Sequence, residues 1–174
     1  ARNAAAAAAR GDAIYDALQI DDANGRRDAL VALAGQTGSD PVERLLAAAA
    51  QQESGDPAAA AEMLDAMTTD IEVAPLYRDL AAFKALMLRA DMLDPAARIA
   101  GFAQLAQPGA PFRLLALEQT ALAQVDAGDT DAAIATLKGI LSDAEVTRGL
   151  RERAQNLIVA LGGTVDVSSV APAN

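Results

Sequence analysis

The sequence predicts an all-α protein, an α-solenoid of about four helix pairs closed by a C-terminal capping helix. Three observations predict it. Alanine fills 45 of the 174 positions and only five residues are aromatic, a composition that favours helices and lets them pack closely. A helix-start pattern recurs along the chain at steps the length of one helix pair. A second, independent pattern built on arginine recurs at the same period.

The stretch GDTDAAIATL at 128–137 carries the first pattern: Gly-Asp, then alanines, then a closing Leu. GDPAAAAEML at 55–64 repeats it, LDPAARIAGF at 93–102 ends on Phe102, and NGRRDALVAL at 24–33 is a looser copy. The second position falls at Gly25, Asp56, Asp94 and Asp129, at steps of 31, 38 and 35. Asp56-Pro57 and Asp94-Pro95 set an N-cap acid before a first-turn proline, both favourable at a helix start. These segments read as second helices over about 27–36, 57–68, 95–106 and 130–142.

Each second helix is preceded by a first helix, over about 2–20, 41–53, 75–90 and 111–126. PVERLLA, PLYRDLA, PFRLLA and GLRERA share an arginine followed three residues on by alanine. The arginines are Arg44, Arg78, Arg113 and Arg151, at steps of 34, 35 and 38, with Arg10 and Ala13 a weaker copy upstream. The last arginine opens a ninth helix, about 146–160. It has no following partner and reads as the cap that covers the open apolar face of the final pair. The domain so defined runs over 1–162, in units of about 2–37, 41–68, 75–106 and 111–142 plus the cap, and residues 163–174 form a tail without helical pattern. Val165, Val167 and Val170 are the tail residues suited to an apolar groove of a neighbouring molecule, with crystal packing as the plainer account.

Composition narrows the chemistry. The net charge is −10 and Lys84 and Lys138 are the only lysines, so the concentrated basic surface that a nucleic-acid backbone needs is missing. There is no cysteine or histidine, which excludes disulfides, thiol chemistry, the usual zinc sites and histidine bases. Asp21-Asp22, Asp129-Asp131 and Glu152 could be read as acid/base pairs, but turn acids and helix caps explain the first two, Glu152 sits in a charged helix start, and no nucleophile, oxyanion hole or phosphate loop accompanies them. The expectation is a protein that is not an enzyme and uses no cofactor or metal. The alanine run at 4–9 is too short and too weakly apolar to span a bilayer. The chain opens on Ala1 without a methionine, so an upstream segment removed from it is expected.

The helix-pair length and the Gly-Asp…Ala pattern resemble tetratricopeptide repeats. Gly128, Ala133 and Leu137, like Gly55, Ala60 and Leu64, stand where that repeat has a turn glycine, a small crossing residue and an aromatic. Leucine for the aromatic, and the unregistered terminal proline, mark the units as divergent. More narrowly, PLYRDLAAFKALML, APFRLLALEQTALAQVDAGDTDAAIATL and GLRERAQNLIVALGG resemble the tetratricopeptide-like domain of the ancillary SecYEG translocon subunit family (YfgM-like), in its alphaproteobacterial form. The resemblance covers about residues 10–162. It implies an N-terminal membrane helix, a repeat domain on the periplasmic face of the inner membrane, and a non-enzymatic role beside the Sec translocon and envelope chaperones. It implies no catalytic residues.

Two sets of residues stand out. A cation in the first turn of a helix opposes the helix dipole, so the recurrence of Arg44, Arg78, Arg113 and Arg151 needs a reason. The structural reading is a salt bridge or C-cap to the preceding unit, with acids such as Asp65, Asp70 and Asp143 as partners and the arginine stems packed between units. The functional reading is a ladder that grips acidic peptides. In tetratricopeptide geometry first helices line the concave face, which assigns Leu80, Phe83 and Met87 of the third unit and Leu115, Glu118 and Leu122 of the fourth to a partner-binding groove. The competing reading buries these residues against the cap. A clamp for a partner's terminal carboxylate is not expected, since those positions carry mostly Leu, Ala, Phe and Met. The expected partner is a protein: a translocon subunit, envelope chaperone or exported client by resemblance. A cytosolic adaptor in an unrelated assembly is the alternative.

Overall fold

The computed structural model describes residues 2–36, 38 and 40–165. Among these the chain is all-helical: α1 (Arg2–Leu18), α2 (Ala23–Ala34), α3 (Pro41–Glu53), α4 (Pro57–Thr68), α5 (Pro75–Leu88), α6 (Pro95–Leu105), α7 (Arg113–Asp126), α8 (Thr130–Leu141) and α9 (Arg148–Ala160). The helix starts follow local chemistry. Carboxylates of Asp22, Asp56, Asp94 and Asp129 accept the N–H groups of Gly25, Ala59, Ala97 and Ala132 at 2.7–3.0 Å, satisfying donors that the first helical turn leaves unpaired. At α3 the Asp40 carboxylate takes the Val42 N–H while Glu43 accepts from the Asp40 N–H at 2.8 Å, a reciprocal capping box. One start differs from the sequence expectation. The second helix of the first pair begins at Ala23 and not near residue 27, because Asp22, and not the Asn24-Gly25 turn, supplies the cap.

The chain divides into two compact units, Ala1–Asp91 and Met92–Asn174. The division falls inside the third expected pair, so α5 belongs to the first unit and α6 to the second. Within the first unit each helix packs on the next, from α1 to α5. Within the second the same holds from α6 to α9.

The cores are built largely from alanine. In the first unit Ala17, Leu30, Ala34, Ala47 and Ala50 bring α1, α2 and α3 together. Ala48, Ala60, Leu64, Met67, Val73, Ala81 and Ala85 do so for α3, α4 and α5. In the second unit Ala121, Leu137, Ile140, Leu150, Ala154 and Ile158 fill the space among α7, α8 and α9. Val165 packs against this last cluster, while Val167 and Val170 lie outside the described residues.

The units repeat one another. Residues 48–88 match 121–161 at a constant spacing of 73, and the buried positions coincide: Ala48 with Ala121, Ala60 with Ala133, Leu64 with Leu137, Met67 with Ile140, Ala81 with Ala154. The turns coincide as well. Gly55 (φ 89°) and Gly128 (φ 78°) take the left-handed conformation, and the N–H groups of Asp56 and Asp129 each return 2.9 Å to the carbonyls of Gln51 and Gln124. A side chain at either glycine would cost about 1–2 kcal/mol, because its Cβ crowds the following carbonyl.

Candidate functional site

The arginines gather around the ends of second helices. Arg44, in the first turn of α3, pairs at 2.8 Å with Asp70, two residues past α4. Arg113, opening α7, pairs at 2.8 Å with Asp143, two residues past α8, and at 2.9 Å with Glu145. The other carboxylate oxygen of each aspartate accepts a backbone N–H, from Glu72 at 3.1 Å and Glu145 at 2.9 Å. From the other side, Arg151 of α9 donates at 3.2 Å to the Leu141 carbonyl, the last of α8, and the charge of Arg78 of α5 bears on Asp70. Each of these two helix ends, with its partial negative charge and its aspartate, thus sits between two arginines. That is why a cation recurs in the first turn: short connections bring that turn beside a neighbouring C-terminus. Arg44 and Arg113 reach the end of the helix that follows them, not a preceding unit, while Arg151 reaches back. Asp65 takes no part and pairs instead with Arg89.

The hydrogen bonds from Arg44 and Arg113 hold the carboxyls of Asp70 and Asp143 below the ordinary carboxylate range, with a smaller contribution from the backbone donors. The Arg113 guanidinium is correspondingly harder to deprotonate, through its hydrogen bonds to Asp143 first and Glu145 second.

The six residues expected to form one groove are divided between the units. In the first, an open groove of about 560 Å³ lies over α3, α4 and α5, and Phe83, Lys84 and Met87 line it together with Ala48, Ala49 and Gln52. Met87 is 42% exposed and Leu76, on the same stripe of α5, is more so. Leu80 stands between them, partly buried. In the second unit Leu115 and Leu122 are exposed on α7, and Leu115 lines a separate groove with Phe112, Leu150 and Arg153. Glu118 behaves differently. It is only 9% exposed and accepts two hydrogen bonds from Arg153 of α9, at 2.7 and 2.8 Å. Its carboxylate is engaged by the last helix.

Glu43 is a buried acid that the sequence reading passed over. It is 3% exposed, held by its capping role and 3.9 Å from Arg10. The spacing Asp40-x-x-Glu43 before an apolar run was the available signal. Among the described residues no helix is long and apolar enough to cross a membrane, and no cluster of three or more acids is arranged to hold a metal ion. Comparison with protein-family models, curated proteins and solved structures finds no match to this chain. The class defined by the fold and groove is therefore broad: an all-α protein of two related helical units.

Proposed function

We propose that this chain is a non-enzymatic docking domain that binds a protein segment along the faces of its first helices. In this reading the helices form a solenoid of divergent tetratricopeptide-like pairs with α9 as its cap, the concave side carrying the partner. The observation that supports it best is the open groove over α3, α4 and α5, with the apolar Phe83 and Met87 on its wall. Its size falls within the ~300–1,000 Å³ of ordinary binding pockets, and a mixed wall of apolar side chains with Gln52, Lys84 and Asp91 suits a helical or extended segment.

The setting follows from the resemblance of the α5, α7–α8 and α9 segments to the ancillary translocon subunit family. The domain is then the soluble part of a membrane-anchored envelope protein, acting beside the Sec translocon and periplasmic chaperones. A photo-crosslinking residue at Phe83, and separately at Leu122, tests both parts in the protein expressed in its native cells. Adducts with translocon subunits, chaperones or exported clients from at least one of the two positions, absent from a control at the exposed Asp28, are the expected outcome. Adducts only with cytosolic proteins would remove the envelope setting. Adducts only within the chain would remove the docking role.

A further inference from the structure

Resting on that docking reading, we propose that the docking surface is the groove of the first unit alone, and that its occupant is an amphipathic helix with an acidic side chain beside its apolar face, paired with Lys84. The internal repeat makes the argument. At the 73-residue spacing the α5 stripe Leu76, Leu80, Phe83 and Met87 corresponds to Gly149, Arg153, Asn156 and Ala160 of α9. One helix presents large apolar side chains at i, i+4, i+7 and i+11, and the other presents small or polar ones. Across from this stripe, Leu45 of α3 corresponds to Glu118 of α7. Where the first unit has Leu45 and Leu80, the second has the Glu118–Arg153 pair bridging α7 and α9. Ala49 corresponds to Leu122, which places a larger side chain at the equivalent of the groove wall. The second unit uses part of this face for its own Glu118–Arg153 ion pair, whereas the first has no such pair there and leaves Phe83 and Met87 on an open groove. An apolar stripe at helical spacing fits a helix laid along it, anchored by residues at i, i+3 or i+4 and i+7.

The charge of the occupant follows from Lys84. It lines the groove, and it corresponds to Leu157, a residue packed on the core of the second unit. Among the described residues nine arginines are paired with carboxylates, but the Lys84 ammonium has neither an ion pair nor a hydrogen bond. An unpaired ammonium against an apolar wall favours a carboxylate brought in by the partner. Asp91, exposed at the rim of the same groove, and the net charge of −10 act against an acidic partner. Screening over about 8 Å at physiological salt weakens the charges elsewhere on the chain relative to Lys84 in contact, which leaves Asp91 as the groove's own opposing charge.

A displayed library of random peptides, selected on the whole chain and separately on Lys84→Glu, tests this. On the unaltered chain the enriched peptides should carry Leu, Phe or Met at helical spacing with Asp or Glu beside them. On Lys84→Glu the preference should turn to Lys or Arg. Peptides from the first selection should bind about tenfold more weakly to Lys84→Glu and to Met87→Asp, with helix content by circular dichroism unchanged. Basic peptides on the unaltered chain, or no change of preference with Lys84→Glu, would overturn the assignment. Binding insensitive to Met87→Asp but lost in Leu122→Asp would overturn it while keeping a docking role, and no enrichment at all would overturn both.

Discussion

Helices α3–α5 and α7–α9 are two versions of one design, and their differences separate what the architecture requires from what each copy does with it. The shared features are the Asp N-caps at Asp56 and Asp129, the left-handed turn glycines, the alanine and leucine positions of the core, and the aspartates Asp70 and Asp143, each paired with an arginine that stands at a different place in its copy (Arg44 and Arg113). These hold helix ends and helix faces together. The clearest difference lies along one face, where Leu45, Leu80, Phe83 and Met87 become Glu118, Arg153, Asn156 and Ala160. A face that changes while its supports persist is a face free to take on a separate role.

The comparison is sharpest at Glu118. Truncating its partner, Arg153→Leu, leaves a nearly buried carboxylate without a donor, and should cost about 1–3 kcal/mol. The double change Glu118→Leu/Arg153→Leu reproduces the first unit and should recover most of that loss, since removing both partners spares the stranded charge. Urea unfolding of the two single variants and the double would measure it. A double variant as unstable as Arg153→Leu would mean that the pair holds α9 in place and is not an ornament on an apolar scaffold.

A smaller contrast lies beneath. Gln124 accepts a 2.9 Å hydrogen bond from the Thr136 hydroxyl. Its counterpart is Gln51, with Met63 at the position matching Thr136, and the Gln51 side-chain oxygen is buried without a partner. Thr136→Val should therefore cost about 1 kcal/mol, whereas Gln51→Leu should be neutral or stabilising. Thermal unfolding of both variants checks this, and equal losses would break the equivalence of the two positions.

The least local effect is acid sensitivity. Because the folded-state carboxyls of Asp70 and Asp143 lie below their ordinary value, their pairs contribute stability above it that is lost as the pH falls through the lowered folded values. Stability followed by urea unfolding below about pH 4 should decline. Asp70→Asn and Asp143→Asn should each flatten part of that decline. A decline unchanged by both would locate it in other carboxylates.

Much of the helical pattern could be read from the chain because its signals are local. Asp-Pro and Gly-Asp starts act through contacts within one turn, and they mark α4, α6 and α8 directly. The recurrence of Arg44, Arg78, Arg113 and Arg151 is equally visible, yet the first and third pair with acids beyond the helix that follows them and not with the preceding unit. Spacing reports that a residue recurs, not which neighbouring helix end it meets. Glu118 was read as a groove residue because it falls on the stripe of Leu115 and Leu122. Its engagement by Arg153, 35 residues on, depends on how α9 lies against α7, which no local pattern carries. The division between α5 and α6 was likewise hidden, since the motifs on either side match those of every other pair.

The alanine core also shapes how such a chain can change. Ala47, Ala60, Ala81, Ala116, Ala121, Ala123 and Ala133 have no exposed surface, and almost every replacement at them adds atoms where the backbones already approach closely. Overfilling of a packed interior costs typically 1–3 kcal/mol. Such an interior fails by crowding and not by hollowing out. Its evolutionary drift is thereby channelled outward, onto the exposed helix faces, so that copies descended from one ancestral unit would come to differ most at their surfaces.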